Sequence, residues 1–245
     1  MRIMIYLVSF IFLFSGMAAL VYEVVWMRQL TIVFGVTTYA VSTILAIFMG
    51  GLALGSYFIG RRSDRIKHHL VVYAGMEVAI GLYALTIPFL FELIKVPYVW
   101  IYQIDAPFAV LAFIRAVLAA AVLLPPTIIM GGTLPLLARF LIQRYGDVGK
   151  QTSALYFVNT MGAVFGCVIA GYYLIEHFGL MGTIRITAIT NFVLAAAAIA
   201  LHYSAIGRSA VHSAESMDRD VEEDAFSESM SRLILICIAA SGFAS

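Results

Sequence analysis

What this 245-residue chain has least of is charge. Asp, Glu, Lys and Arg make up 12% of it, about half the share of an average soluble domain, and long stretches hold none. Residues 29–60, 116–138, 151–175 and 186–207 carry no charged side chain, and residues 3–22 open the chain the same way. A helix rises ~1.5 Å per residue and the apolar core of a bilayer is ~30 Å thick, so ~20 such residues suffice to cross it.

Cysteine is as scarce. Cys167 and Cys237 both sit inside apolar runs, which excludes a disulfide framework and reads both as small core residues. The net charge of +1 gives no electrostatic reason to expect nucleic acid as a partner. There is no nucleophile–His–acid set, no phosphate-cradling loop and no dinucleotide fingerprint, so no catalytic residue and no cofactor are expected. His68-His69 beside Lys67 lacks the carboxylates or thiols that would make a metal site.

Apolar helix is what remains. Hydrophobic residues make up 62% of the chain and the mean hydropathy is +0.98. The fold class is therefore all-α, a polytopic membrane helix bundle embedded in a lipid bilayer. Six spans are expected, at about 3–27, 36–60, 70–94, 109–130, 152–175 and 181–203, with a truncated seventh from 233 to 245. Gly16-Met17-Ala18 has the small residues of a signal-peptide cleavage site, but the apolar run continues past it to Trp26.

Lysine and arginine set the expected orientation. Arg2, Arg61, Arg62, Arg65, Lys67, Arg139, Arg144 and Lys150 fall on one side, and Arg28 and Lys95 on the other. Short loops rich in Lys and Arg stay cytoplasmic, which places the N-terminus there. Residues 1–207 then form one six-helix unit. Residues 208–232 hold seven of the 14 acidic residues and read as a flexible acidic linker.

Two internal repeats are visible. Ser241-Gly242-Phe243-Ala244 restates Ser15-Gly16-Met17-Ala18, so a second membrane unit is expected to begin near Leu233 and the chain to be a fragment of a longer protein. The second repeat is a constant offset in residue number, the one that carries Arg28 onto Arg139. It also lays Gly35, Ser42, Gly51, Gly55 and Gly60 on Gly146, Ser153, Gly162, Gly166 and Gly171. This relates about 1–94 to about 109–203 as inverted three-helix repeats, a construction common among secondary transporters. Gly51 and Gly55, like Gly162 and Gly166, form small-residue faces for close helix packing. They are expected to stay uncovered here, awaiting a missing second half or a second copy.

Four ionisable residues lie within spans: Glu23, Glu77, Arg115 and Arg185. A charge in hydrocarbon costs ~2.5 kcal/mol or more, so each needs a partner, water or the bundle interior. Depth along the helices suggests Glu23 with Arg115 or Arg185 toward the outside, and Glu77 with Asn159 toward the inside. These five are the candidate substrate-binding residues; packing ion pairs are the alternative reading. Pro125, Pro126 and Pro135, with Gly131-Gly132 between them, are expected to kink or break the fourth helix.

Ser15 through Arg28 (SGMAALVYEVVWMR), Tyr39–Thr43, Met49–Ser56, Pro125–Thr127, Met130–Arg139 and Tyr156–Ala163 together resemble the membrane domain of bacterial fused major-facilitator-like/spermidine synthase proteins. The resemblance runs collinearly from Ser15 to about Leu201. Gly60-Arg61-Arg62-Ser63-Asp64-Arg65 separately resembles the basic loop between helices 2 and 3 of the major facilitator superfamily, without the glycine expected after Asp64-Arg65. The resemblance implies half of a major facilitator fold in the bacterial inner membrane, followed by a soluble aminopropyltransferase domain acting on a polyamine such as putrescine. None of that domain's motifs lies in residues 1–245. The function expected is a transporter-like domain that passes or senses polyamine-like cations. A structural membrane anchor for such an enzyme and a stand-alone dimerising half-transporter are the alternatives.

Overall fold

A computed structural model describes residues 2–35, 37–102 and 107–204; the acidic linker and the expected seventh span lie outside the described residues. All the secondary structure among them is helical: α1 (Arg2–Phe34), α2 (Thr38–Ser63), α3 (His69–Tyr102), α4 (Phe108–Tyr145), α5 (Val148–Ile169), a π-turn (Ala170–Leu174) and α6 (Ile175–Tyr203). Five continuous stretches are long and apolar enough to cross a membrane, the last being the 56 residues Val148–Tyr203. Six separate spans are thus not what the described residues present. α5, the π-turn and α6 run on, and the chain turns only at Gly179, where φ 66° and ψ 179° suit glycine alone.

Ends are set by local chemistry. The Thr37 side chain accepts the Ala40 N–H at 3.1 Å to start α2, and the Asp147 carboxylate does the same for Lys150 at the start of α5. Gly35 and Gly146 close α1 and α4 with positive φ, 86° and 63°. Their N–H groups return to Thr31 (3.0 Å) and Ile142 (2.8 Å), acceptors that the same offset in residue number relates.

α4 passes through Pro125, Pro126 and Pro135 as one helix of 38 residues; the prolines do not break it. Pro126 has no N–H for the Val122 carbonyl one turn back, and the Tyr83 hydroxyl of α3 donates to that carbonyl instead, at 3.0 Å.

The largest helix interfaces pair α2 with α4, α1 with α5 and α3 with α6, and α3–α4 and α1–α6 close the bundle. The glycine faces make the first two possible, and they are covered within the unit. A Cβ on Gly51 would overlap Thr127, and one on Gly55 the Ile128 carbonyl of α4. On Gly162 and Gly166 it would strike the Leu13 and Met17 carbonyls of α1. This corrects the expectation that they wait for a second half: the close approach they permit is already used inside the bundle. Gly55–Ile128 and Gly166–Met17 are again related by the same offset on both partners.

α5 buries only that edge, with Gly162, Gly166 and Ala170 inward. Cys167, one residue on, is exposed, which corrects its reading as a core residue. Cys237 lies outside the described residues.

Candidate functional site

The apolar interior is divided. One cluster contains Met4, Phe12, Leu70, Leu136, Leu155 and Leu194; the other contains Val21, Phe48, Ile80, Met130 and Ile184. Where the two meet, Ser15 and Gly16 of α1, Phe48 and Leu52 of α2, Ile80 of α3, Met130 and Thr133 of α4, Asn159 of α5 and Asn191 of α6 line one cavity of about 80 Å³. All six helices reach it, and it has room for several water molecules.

Its depth follows from helix rise. Thr133 stands 12 residues before the end of α4 and Asn159 11 residues after the start of α5, so both lie about 16–18 Å from the end that carries the basic loops. That is about half the ~30 Å thickness of a bilayer's hydrocarbon layer.

Glu77 stands directly behind this cavity. Its side chain is wholly buried. Ser15 Oγ donates to its Oε1 at 2.6 Å, and Asn191 Nδ2 to its Oε2 at 2.7 Å. The Tyr22 hydroxyl donates to Asn191 Oδ1 at 3.1 Å, which fixes the amide's orientation. The Tyr73 hydroxyl, also buried, adjoins Glu77 and Ser15 without a well-aligned hydrogen bond. Two donors reach a group with about four acceptor positions. Among the described residues no cationic side chain pairs with Glu77; the ion pairs Lys95–Glu92 and Arg139–Asp64 lie elsewhere.

The expected contacts are therefore redistributed. Glu77 pairs with Ser15 and Asn191, not with Asn159. Asn159 shares the cavity but packs against Gly16, where any Cβ would collide with its backbone and side-chain oxygens. Ser15, Asn191, Tyr22 and Tyr73 were not among the sequence candidates. Asn191 had a signal, as a lone amide in the charge-free run 186–207.

Glu23 is buried at 6% exposure, and its Oε2 has no hydrogen-bond partner among the described residues. It makes no ion pair with Arg115 or Arg185, correcting that expectation. Arg185 is exposed on α6, while Arg115 is half-buried in a small hollow with Phe34, Tyr39 and Thr43. Phe34, whose hollow Arg115 shares, stands 11 residues or ~16 Å of helix beyond Glu23, so Arg115 does not lie at Glu23's depth.

At the basic end Arg61, Arg62, Asp64 and Arg65 are all exposed. Arg61 donates to the Tyr57 hydroxyl at 2.7 Å, and Asp64 Oδ1 meets Arg139 Nε at 2.7 Å, tying the end of α2 to α4. No group of three metal-ligating side chains occurs among the described residues. Comparison with protein-family models, with curated proteins and with solved structures returns no match.

Proposed function

We propose that this unit is transporter-like and that its central cavity receives the positive group of a small organic cation, with Glu77 as counter-charge. One observation carries the reading: a wholly buried carboxylate, without a cationic partner among the described residues, backs a mostly apolar cavity to which all six helices contribute and which Ser15, Thr133, Asn159 and Asn191 line with polar groups. A carboxylate at that depth is costly unless it is neutralised, and a bound ammonium would neutralise it. Ser15 and Asn191 transmit the carboxylate's polarity to the cavity wall. Thr133 and Asn159 add further polar lining. A cavity of about 80 Å³ accommodates an ammonium group and a little water; the rest of a longer amine must leave it along the helices.

The sequence resemblance makes putrescine or a related polyamine the first solute to try, in the membrane part of a spermidine-synthase-like fusion protein. In this reading the chain crosses the bacterial inner membrane six times, the Gly179 turn separating the fifth and sixth crossings, with the basic loops cytoplasmic. A second half or second copy completes the pathway. The glycine contacts and helix ends that recur at one constant offset support inverted three-helix repeats, and superposing α1–α3 on α4–α6 tests them.

The test of function is uptake of labelled putrescine into proteoliposomes by the full-length protein. Glu77→Gln should reduce uptake at least tenfold with the folded yield unchanged. Normal uptake with a lowered melting temperature would make Glu77 a packing group. No uptake by the unmodified protein would favour the membrane-anchor reading.

A further inference from the structure

The face of α1 that lines the cavity does not end there. At ~100° per residue, Ala19 lies about 40° around the helix from Ser15, Gly16 about 100° and Leu20 about 140°. Glu23 falls at about 80° on the same count, the middle of that arc, one to two turns farther from the basic end. Trp26 falls at about 20°, also within it. The helix face that lines the cavity as far as Leu20 thus carries, farther along α1, an acid and an indole.

Both are nearly inaccessible, at 6% and 1% exposure, and each holds a polar atom with no hydrogen-bond partner among the described residues, Glu23 Oε2 and Trp26 Nε1. The Tyr22 ring stacks on Trp26 with centroids 5.0 Å apart. A buried acceptor and a buried donor left open one helical turn apart are expensive. One apolar ligand satisfies neither, and a lone cation satisfies only the carboxylate. A lone water can bridge both atoms but leaves the carboxylate's charge uncompensated; a protonated amine carrying a water satisfies both atoms and the charge, the ammonium donating to Glu23 and its water accepting the indole N–H.

We infer that Glu23 and Trp26 form a second ammonium site on the same face of α1, an outer station of the route to the central cavity. This inference rests on the cation reading of that cavity, but a different pair of orphaned atoms carries it. Carboxylate beside stacked aromatic rings is an arrangement that favours cations, and the N–H requirement selects primary ammonium over quaternary.

The chain offers its own probe, because Trp26 and Trp100 are its two tryptophans. In the full chain carrying Trp100→Phe, in nanodiscs, Trp26 emission is titrated with methylammonium and, separately, with tetramethylammonium. A saturable change with methylammonium alone is expected. Glu23→Gln should raise its half-saturation at least tenfold, Glu23→Asp severalfold, and Glu77→Gln less than twofold. Absence of a saturable change, an equal response to tetramethylammonium, or an unaltered response in Glu23→Gln would overturn the site. Equal loss in Glu77→Gln would also overturn it, since Trp26 would then report only the central cavity. If Glu23→Gln fails to fold, the Glu23→Asp titration decides, and an unchanged half-saturation there refutes the proposal. Putrescine uptake separates the two readings: normal uptake by Glu77→Gln with an intact Trp26 titration removes the central site and leaves the outer one.

Discussion

Replacing Gly55 by alanine isolates what the glycine faces contribute. The added methyl would sit well inside contact distance of the Ile128 carbonyl. That atom belongs to the backbone of α4, so it cannot rotate away as a side chain would. α2 and α4 must move apart along the largest interface of the bundle, and overpacking of this kind costs about 1–3 kcal/mol, occasionally more. Alanine returns about 0.8–1 kcal/mol through helix propensity, leaving a net loss of about 0–2 kcal/mol. Gly50 is the internal control: it lies on the same helix and a Cβ there meets nothing within 4 Å. Gly50→Ala should therefore be neutral or stabilising by up to about 1 kcal/mol. The propensity gain is common to both, so the two alanine variants should differ by the overpacking cost of about 1–3 kcal/mol, or roughly 5- to 150-fold in the unfolding equilibrium at ~1.4 kcal/mol per decade. Reversible unfolding in mild detergent, followed by tryptophan fluorescence, gives both values. Gly166→Ala, which strikes the Met17 carbonyl in the corresponding α5–α1 contact, should match Gly55→Ala within a few tenths of a kcal/mol. Equal stability of Gly55→Ala and Gly50→Ala would show that the close α2–α4 approach is not what these glycines are for.

Tyr83→Phe should cost about 1–2 kcal/mol by leaving the Val122 carbonyl without a donor, and much less in a Pro126→Ala background, where a backbone N–H can take over; additive effects in that double-mutant cycle would refute the assignment. Ser15→Ala should cost about 1.5–3 kcal/mol, because it removes a donor from a buried carboxylate. Combined with Glu77→Gln it should cost clearly less than the sum of the two, as expected for groups in one network; the thermal unfolding of the four proteins decides. Asp64→Asn should change stability by less than ~1 kcal/mol, since Asp64 is 65% and Arg139 34% exposed, and any loss larger than that in chemical denaturation would mean the pair does more than join two helix ends.

That this chain has helices long and apolar enough to cross a membrane is readable from the charge-free runs alone, because hydrocarbon excludes charge over a length fixed by bilayer thickness. The position of the turn at Gly179 was also readable, within the gap expected between 175 and 181, though two separate spans are not what the described residues present. Its form was not: one continuous helical run from Val148 to Tyr203 that turns on Gly179 has no proline or polar loop to announce it. What sequence supplied for the site was depth, and what it did not supply was azimuth. Even depth held only loosely: Arg115 shares a hollow with Phe34, which ends α1 11 residues or ~16 Å of helix beyond Glu23, and Arg185 faces outward on α6. Glu77 and Asn159 were matched by level alone, and the residue that reaches the carboxylate is Asn191, because α3 packs on α6 rather than on α5.

Azimuth comes from which helices touch, and the glycines decide that. The constant offset already placed Gly51 and Gly55 in correspondence with Gly162 and Gly166. Had these faces been assigned to α4 and α1, the α2–α4 and α5–α1 pairs would have followed. α3 and α6 are the helices those pairings leave over, and they carry Glu77 and Asn191, whose side chains meet across their shared interface at 2.7 Å. The polar contact at the centre is therefore a consequence of where small residues stand on the other four helices. Widening either glycine contact should loosen the Glu77 network without touching any of its members. Gly55→Ala should thus impair putrescine uptake beyond what its fraction of folded protein explains, whereas Gly50→Ala should leave uptake per folded molecule unchanged. If both variants transport equally well per folded molecule, packing and site are independent and this line of reasoning fails.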